Sequence, residues 1–137
     1  SHAQPFEIQA LKKYGYYLGM AFQITDDILD FVADEEVLGK PVGSDIRQGV
    51  ITLPAIYALN CGDDREELGR LLSSPKLCIS QAEEIIELVG ASDGLDYAYE
   101  LSGKYAERAM QQLDFLPDVP VKESLFEIAA FISGREY

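Results

Sequence analysis

The sequence predicts an all-α protein, and three observations carry that prediction. Apolar residues recur at three- and four-residue spacing through most of the 137 positions, the signature of one buried helix face. No stretch alternates apolar and polar residues for long enough to make a useful strand. Breaks at Cys61-Gly62, Ser73-Ser74-Pro75, Gly90 to Gly94 and Pro117 to Pro120 cut the chain into helix-sized pieces. No internal repeat is visible. The chain is read as one all-α domain over residues 1–137, with Ser1-His2-Ala3 set aside as an expression scar.

The first helix is expected from Phe6 to about Val32, with Pro5 in its first turn, where a missing N–H costs little. Ile8, Leu11, Tyr14, Leu18 and Ala21 mark its periodicity. Gly15 and Gly19, one turn apart, suggest close helix packing, and Gly19 also opens space above Gln23. Residues 34–49, rich in glycine, proline and charge, form a loop. Thr52 is a candidate N-cap for a short helix through Asn60. Asp63 caps the next helix, about 64–72, with Glu66 in the capping-box position. Ser80-Gln81-Ala82-Glu83 opens a helix to about Val89. A long helix follows over 95–115, with Leu95, Ala98, Leu101, Tyr105, Ala109 and Leu113 as its core stripe. The last helix covers 121–132 and carries Leu125, Ile128, Ala129 and Ile132.

Composition narrows the function. The chain is 47% hydrophobic, enough for a core, and no run is apolar enough to span a membrane. The start shows no basic and apolar signal pattern. Cys61 and Cys78 make neither a disulfide framework nor a metal motif, so a reduced cytoplasmic setting is expected. With 24 acidic and 11 basic residues the net charge is −13. That argues against nucleic acid as a partner and against anionic membrane binding by charge.

The chemistry concentrates in Gly19-Met20-Ala21-Phe22-Gln23-Ile24-Thr25-Asp26-Asp27-Ile28-Leu29-Asp30-Phe31. There is no glycine or proline between Met20 and Leu38. At about 100° per residue, Tyr16, Gly19, Gln23, Asp26, Asp27, Asp30 and Asp34 share one narrow arc. Apolar residues fill the rest, the reverse of an ordinary surface helix. Carboxylates among apolar side chains need a hydrogen bond, an ion pair or a cation. Asp26 and Asp30 stack one turn apart and repel unless a cation lies between them. Oxygen donors without nearby histidine or cysteine suit Mg²⁺, with Mn²⁺ or Ca²⁺ as alternatives. A solvated acidic stripe is the competing reading.

This segment resembles the second aspartate-rich motif of the trans-isoprenyl (polyprenyl) diphosphate synthases. Leu38-Gly39-Lys40-Pro41-Val42-Gly43-Ser44-Asp45-Ile46-Arg47-Gln48-Gly49-Val50-Ile51-Thr52-Leu53-Pro54 is similar to the loop that follows it in that family. The wording is nearest to medium- and long-chain members such as heptaprenyl or octaprenyl diphosphate synthases. The resemblance implies condensation of isopentenyl diphosphate with an allylic diphosphate, assisted by Mg²⁺. It makes Asp26 the direct metal ligand, with Asp27 and Asp30 in support. It sets Phe22 and Gln23 beside the substrate, Lys40 on the allylic diphosphate, and Arg135 in a basic tail that closes over the diphosphates. No protein nucleophile is implied.

Two departures stand out. Val50 occupies a position where the family often has a second lysine. The resemblance also covers only the family's C-terminal half. The first Asp-rich motif, its arginine pair and the Gly-Lys-Arg segment for isopentenyl diphosphate are absent from these residues. The expectation is a prenyltransferase fragment, inactive alone, that self-associates or joins a small partner subunit. The alternatives are a non-catalytic subunit of the same fold, which commonly lacks the aspartates, and a terpene synthase, whose second metal motif usually differs.

Overall fold

The computed structural model describes residues 3–32, 43–74 and 77–134, and all of their regular structure is helical. Helix α1 spans Pro5–Val32, α2 Ser44–Arg47, α3 Leu53–Cys61, α4 Arg65–Leu72, α5 Ile79–Ala91, α6 Gly94–Gln112 and α7 Pro120–Gly134. A 3-10 turn, Leu113–Phe115, follows α6. The all-α expectation holds, and the loop expected over 34–49 contains the short α2.

Three helix starts differ from their expected chemistry. Thr52 does precede α3, but its hydroxyl makes no capping bond. It is buried, and its Oγ1 has no hydrogen-bond partner among the described residues. Helix α4 starts after Asp64 rather than Asp63, again without a side-chain cap. Helix α5 begins at Ile79, one residue before the expected serine. Its cap is Cys78, whose N–H donates to Gln81 Oε1 at 3.0 Å. The Gln81 side chain thus satisfies a donor at the helix start that Ser80 and Glu83 were expected to serve.

The chain falls into two compact units. The first comes from Ser1–Thr25 and Glu100–Tyr137. In its core, Tyr14, Ala109, Leu113 and Ala129 pack with half-buried Leu18, Met110 and Leu125. A second cluster joins Ala21, Ala106 and Ile132. Four of these buried positions are alanine, which lets helix backbones approach closely. The Tyr14 hydroxyl donates to the Leu125 carbonyl at 2.6 Å, and burial pushes its pKa up.

On α6 the expected stripe is rotated. Ala98, Ser102, Ala106 and Ala109 are fully or almost fully buried, while Leu95, Leu101 and Tyr105 are only half-buried. Small residues take the contact, and larger ones flank it. Ile128 of α7, expected in the core, is 49% exposed.

The second unit is Asp26–Tyr99. Phe31, Ile46, Ala55, Leu68, Leu71 and Ile85 share one buried cluster across five helices. Burying such side chains contributes roughly 1.5–3 kcal/mol each. Tyr57 and Tyr97 stack at 4.6 Å between centroids. Gly94 opens α6 where a Cβ would lie 2.4 Å from the Pro54 carbonyl oxygen. A backbone atom cannot easily yield. Gly94→Ala is therefore expected to cost about 1–3 kcal/mol in urea denaturation. Gly90, in α5, has nothing within 4 Å of a built Cβ. Gly90→Ala is expected to stabilise by about 0.5–1 kcal/mol. Shifts of the same sign in both variants would contradict this packing.

Candidate metal centre

Helix α1 places the predicted residues in sharply different surroundings. Asp26 is exposed, Asp27 is half-buried and Asp30 is 0% exposed. The interleaved apolar residues explain this split. Ile24, Ile28 and Phe31 are buried, so the helix is anchored on their side. Asp26 falls clear of that side, at the edge of the polar arc. Asp30 falls in the middle of the arc, but there the chain from Gly43 to Asp45 returns to cover it. The Asp45 N–H donates to Asp30 Oδ2 at 3.2 Å, and the Gly43 N–H donates to the Asp30 carbonyl at 2.9 Å.

The three carboxylates therefore do not form one open cluster. Among the described residues, no group of three His, Cys, Asp or Glu side chains is placed to hold a metal. Asp26 and Asp27, adjacent in sequence, are the carboxylates of the motif with solvent access. They provide hard oxygen donors with the remaining coordination positions open. This fits Mg²⁺, which commonly takes one or two carboxylates and completes its octahedron with water and phosphate oxygens. It does not fit zinc, which calls for nitrogen or sulfur donors in a closed tetrahedron.

One turn earlier, Phe22 and Gln23 are both exposed, Phe22 at 65%. Phe22 lines an open groove of about 460 Å³ in the first unit, with Ser124, Ile128 and Phe131. Phe131 is 80% exposed. The Thr25 hydroxyl turns back onto the Ala21 carbonyl at 2.9 Å. Gly15 and Gly19 do not mark a packing contact among the described residues: both are exposed, with nothing within 4 Å of a built Cβ. Lys40 and Arg135, the two expected basic contacts, lie outside the described residues. The sequence reading missed Gly43 and Asp45 as the partners of Asp30. Their signal was a glycine before a short polar helix start, which asks for a capping group from elsewhere.

A family model described as polyprenyl synthetase matches residues 1–89. The chain is 39% identical over 130 residues to heptaprenyl diphosphate synthase component 2 of Geobacillus stearothermophilus, covering 95% of this chain and 40% of that protein. It is 36% identical over 133 residues to octaprenyl diphosphate synthase of Escherichia coli, covering 96% and 41%. The chain thus spans about two fifths of the length of the curated relatives it matches. Among solved structures, a geranylgeranyl pyrophosphate synthase from Corynebacterium glutamicum, complexed with calcium and isoprenyl diphosphate, superposes with a TM-score of 0.85 at 38% identity. That match covers 97% of this chain and 41% of the other. Heptaprenyl diphosphate synthase from Staphylococcus aureus gives a TM-score of 0.87 at 34% identity, covering 100% and 43%.

An exposed phenylalanine within this helix separates a site residue from a core residue. Phe22→Ala is expected to leave stability within about 0.5 kcal/mol of the parent. Ile28→Ala, at 1% exposure, is expected to cost about 2–4 kcal/mol. Thermal or urea melts of the two variants check the contrast, and a Phe22→Ala loss as large as that of Ile28→Ala would place Phe22 in the core.

Proposed function

The chain belongs to the polyprenyl synthetase family, and from that premise we propose that it carries the second acidic helix of a prenyltransferase that lengthens an allylic diphosphate with isopentenyl diphosphate. One observation carries this reading. Asp26 is exposed beside half-buried Asp27, one turn from an exposed Phe22 and Gln23 on the same helix. Acidic and apolar groups thus follow each other along the sequence of one helix.

In the proposed reaction the C–O bond of the allylic diphosphate breaks, and the departing diphosphate keeps the electron pair. The double bond of isopentenyl diphosphate then forms the new C–C bond, and a proton is lost, with the diphosphate as the candidate base. A bound Mg²⁺ or Mn²⁺ supplies positive charge to the leaving group. Asp26 would hold that cation directly, and Asp27 would support it directly or through water. Phe22 offers an apolar wall that keeps water from the allylic carbon. The Gln23 amide faces the isopentenyl diphosphate. By sequence, Lys40 meets the allylic diphosphate and Arg135 closes over it.

The protein has few bases, at net charge −13, so a bridging cation is the natural way for it to hold a diphosphate. The 137 residues contain a single Asp-rich motif. We propose that condensation needs carboxylates from outside these residues, and that the chain alone does not turn over. A cytoplasmic setting suits this chemistry, and no described helix is long and apolar enough to cross a membrane.

Partner choice follows from the exposed apolar groups. Phe22, Phe126, Phe131 and Val121 each leave half or more of their surface open. A surface of this kind favours association. Two relatives are named as component 2 of heptaprenyl diphosphate synthase, which supports a two-component assembly as the alternative to a homo-oligomer. Light scattering after size exclusion is expected to show an oligomer of this chain, weakened by Phe131→Ser. A clean monomer at high concentration would count against self-association.

Titration calorimetry with Mg²⁺ and inorganic diphosphate tests the site. Heat of binding is expected only with both present, and Asp26→Ala is expected to reduce affinity at least about tenfold, the scale of a lost charged contact. Binding that survives Asp26→Ala would overturn the assignment.

A further inference from the structure

Helix α2 begins on a residue that cannot cap it. The first N–H groups of a helix have no intrahelical partner, and a Ser, Thr, Asp or Asn side chain before the first turn usually accepts one of them. Here that position is Gly43, at φ 75°, with no side chain to offer. The φ explains the glycine, because it is left-handed and L side chains resist it; the Ile86 Cδ1 that a Cβ would meet at 2.5 Å is the movable end of a side chain.

The missing acceptor comes from α1. Asp30 Oδ2 takes the Asp45 N–H at 3.2 Å, the bond an N-cap side chain would make to the second residue of α2. The Asp30 carbonyl takes the Gly43 N–H at 2.9 Å. One residue of α1 therefore receives two backbone donors of the incoming turn. The residues that follow each partner, Phe31 and Ile46, are buried in the same core. Asp26, one turn earlier, is exposed. Equal spacing in the sequence hides unequal tasks. A carboxylate at 0% exposure that already accepts a backbone N–H reaches a hydrated cation only by uncovering itself.

We infer that Asp30 is a positioning residue: its carboxylate caps α2 from the neighbouring helix and holds the last turn of α1, leaving the metal contacts to Asp26 and Asp27. The metal half of this inference rests on the function proposed above; the capping half does not.

The test uses the 137-residue chain with Asp30→Asn, Asp30→Ala and Asp26→Asn, read by Asp45 amide hydrogen exchange and by calorimetric titration with Mg²⁺ in the presence of inorganic diphosphate. Asparagine keeps an acceptor oxygen and removes the charge. Asp30→Ala is expected to speed exchange of the Asp45 amide at least about tenfold relative to Leu68 and Ile85. Asp30→Asn is expected to restore protection and to keep Mg²⁺ affinity within about twofold, whereas Asp26→Asn weakens it at least about tenfold. If Asp30→Ala does not fold, Asp30→Leu, which keeps the volume and removes the acceptor, takes its place in the exchange comparison. An Asp45 amide indifferent to both substitutions overturns the cap. So does Asp30→Asn weakening Mg²⁺ as much as Asp26→Asn while Asp45 stays protected, because Asp30 is then a ligand. A parent chain that binds no Mg²⁺ defeats the metal reading of Asp26, and the exchange of Asp45 still judges the cap.

Discussion

A carboxylate set among apolar side chains has to find a partner, and helix α1 presents three of them within five residues. Water, a cation or a backbone N–H can each meet the demand, but a desolvated and unpaired carboxylate cannot be sustained. The protein divides the answers. Asp30 is buried and accepts a backbone N–H, while Asp26 stays in contact with solvent. The position of α2 and the exposure of the preceding turn both follow from that division.

Glycines and alanines set the distances around this helix. Gly43 lets the chain turn tightly enough to deliver two N–H groups to Asp30. Gly94 allows α6 to begin against the Pro54 carbonyl. In the other unit, Ala21, Ala106, Ala109 and Ala129 form a core of small residues in which Tyr14 and Leu113 fill the remaining volume. Such a contact is short and stiff, and the large side chains are displaced to its flanks. Phe22 and Phe131 stand exposed.

The polar arc was readable before any coordinates. Gln23, Asp26 and Asp27 share it because a period of 3.6 places them there, and Gln23 and Asp26 are exposed. Periodicity could not reveal that Asp30, on the same arc, would be covered. The cover is a turn 13 residues or more further along, held by the Gly43 N–H on the Asp30 carbonyl and the Asp45 N–H on the Asp30 carboxylate, a pairing that helical periodicity does not encode. The capping errors have a similar origin. Ser80 and Cys78 are both followed three residues later by a capable side chain, Glu83 and Gln81, and packing chose the earlier register.

The sequence by itself determined the helical class, the positions of the breaks, the acidic helix and the family. These depend on local spacing and residue type, which act within a few turns of chain. Tertiary structure alone decided which aspartate is open, which face of α6 is buried and what α2 uses for a cap. Burial is a relation between segments distant in sequence: a helix face is polar or apolar by composition, but it is inside or outside only by virtue of what folds over it.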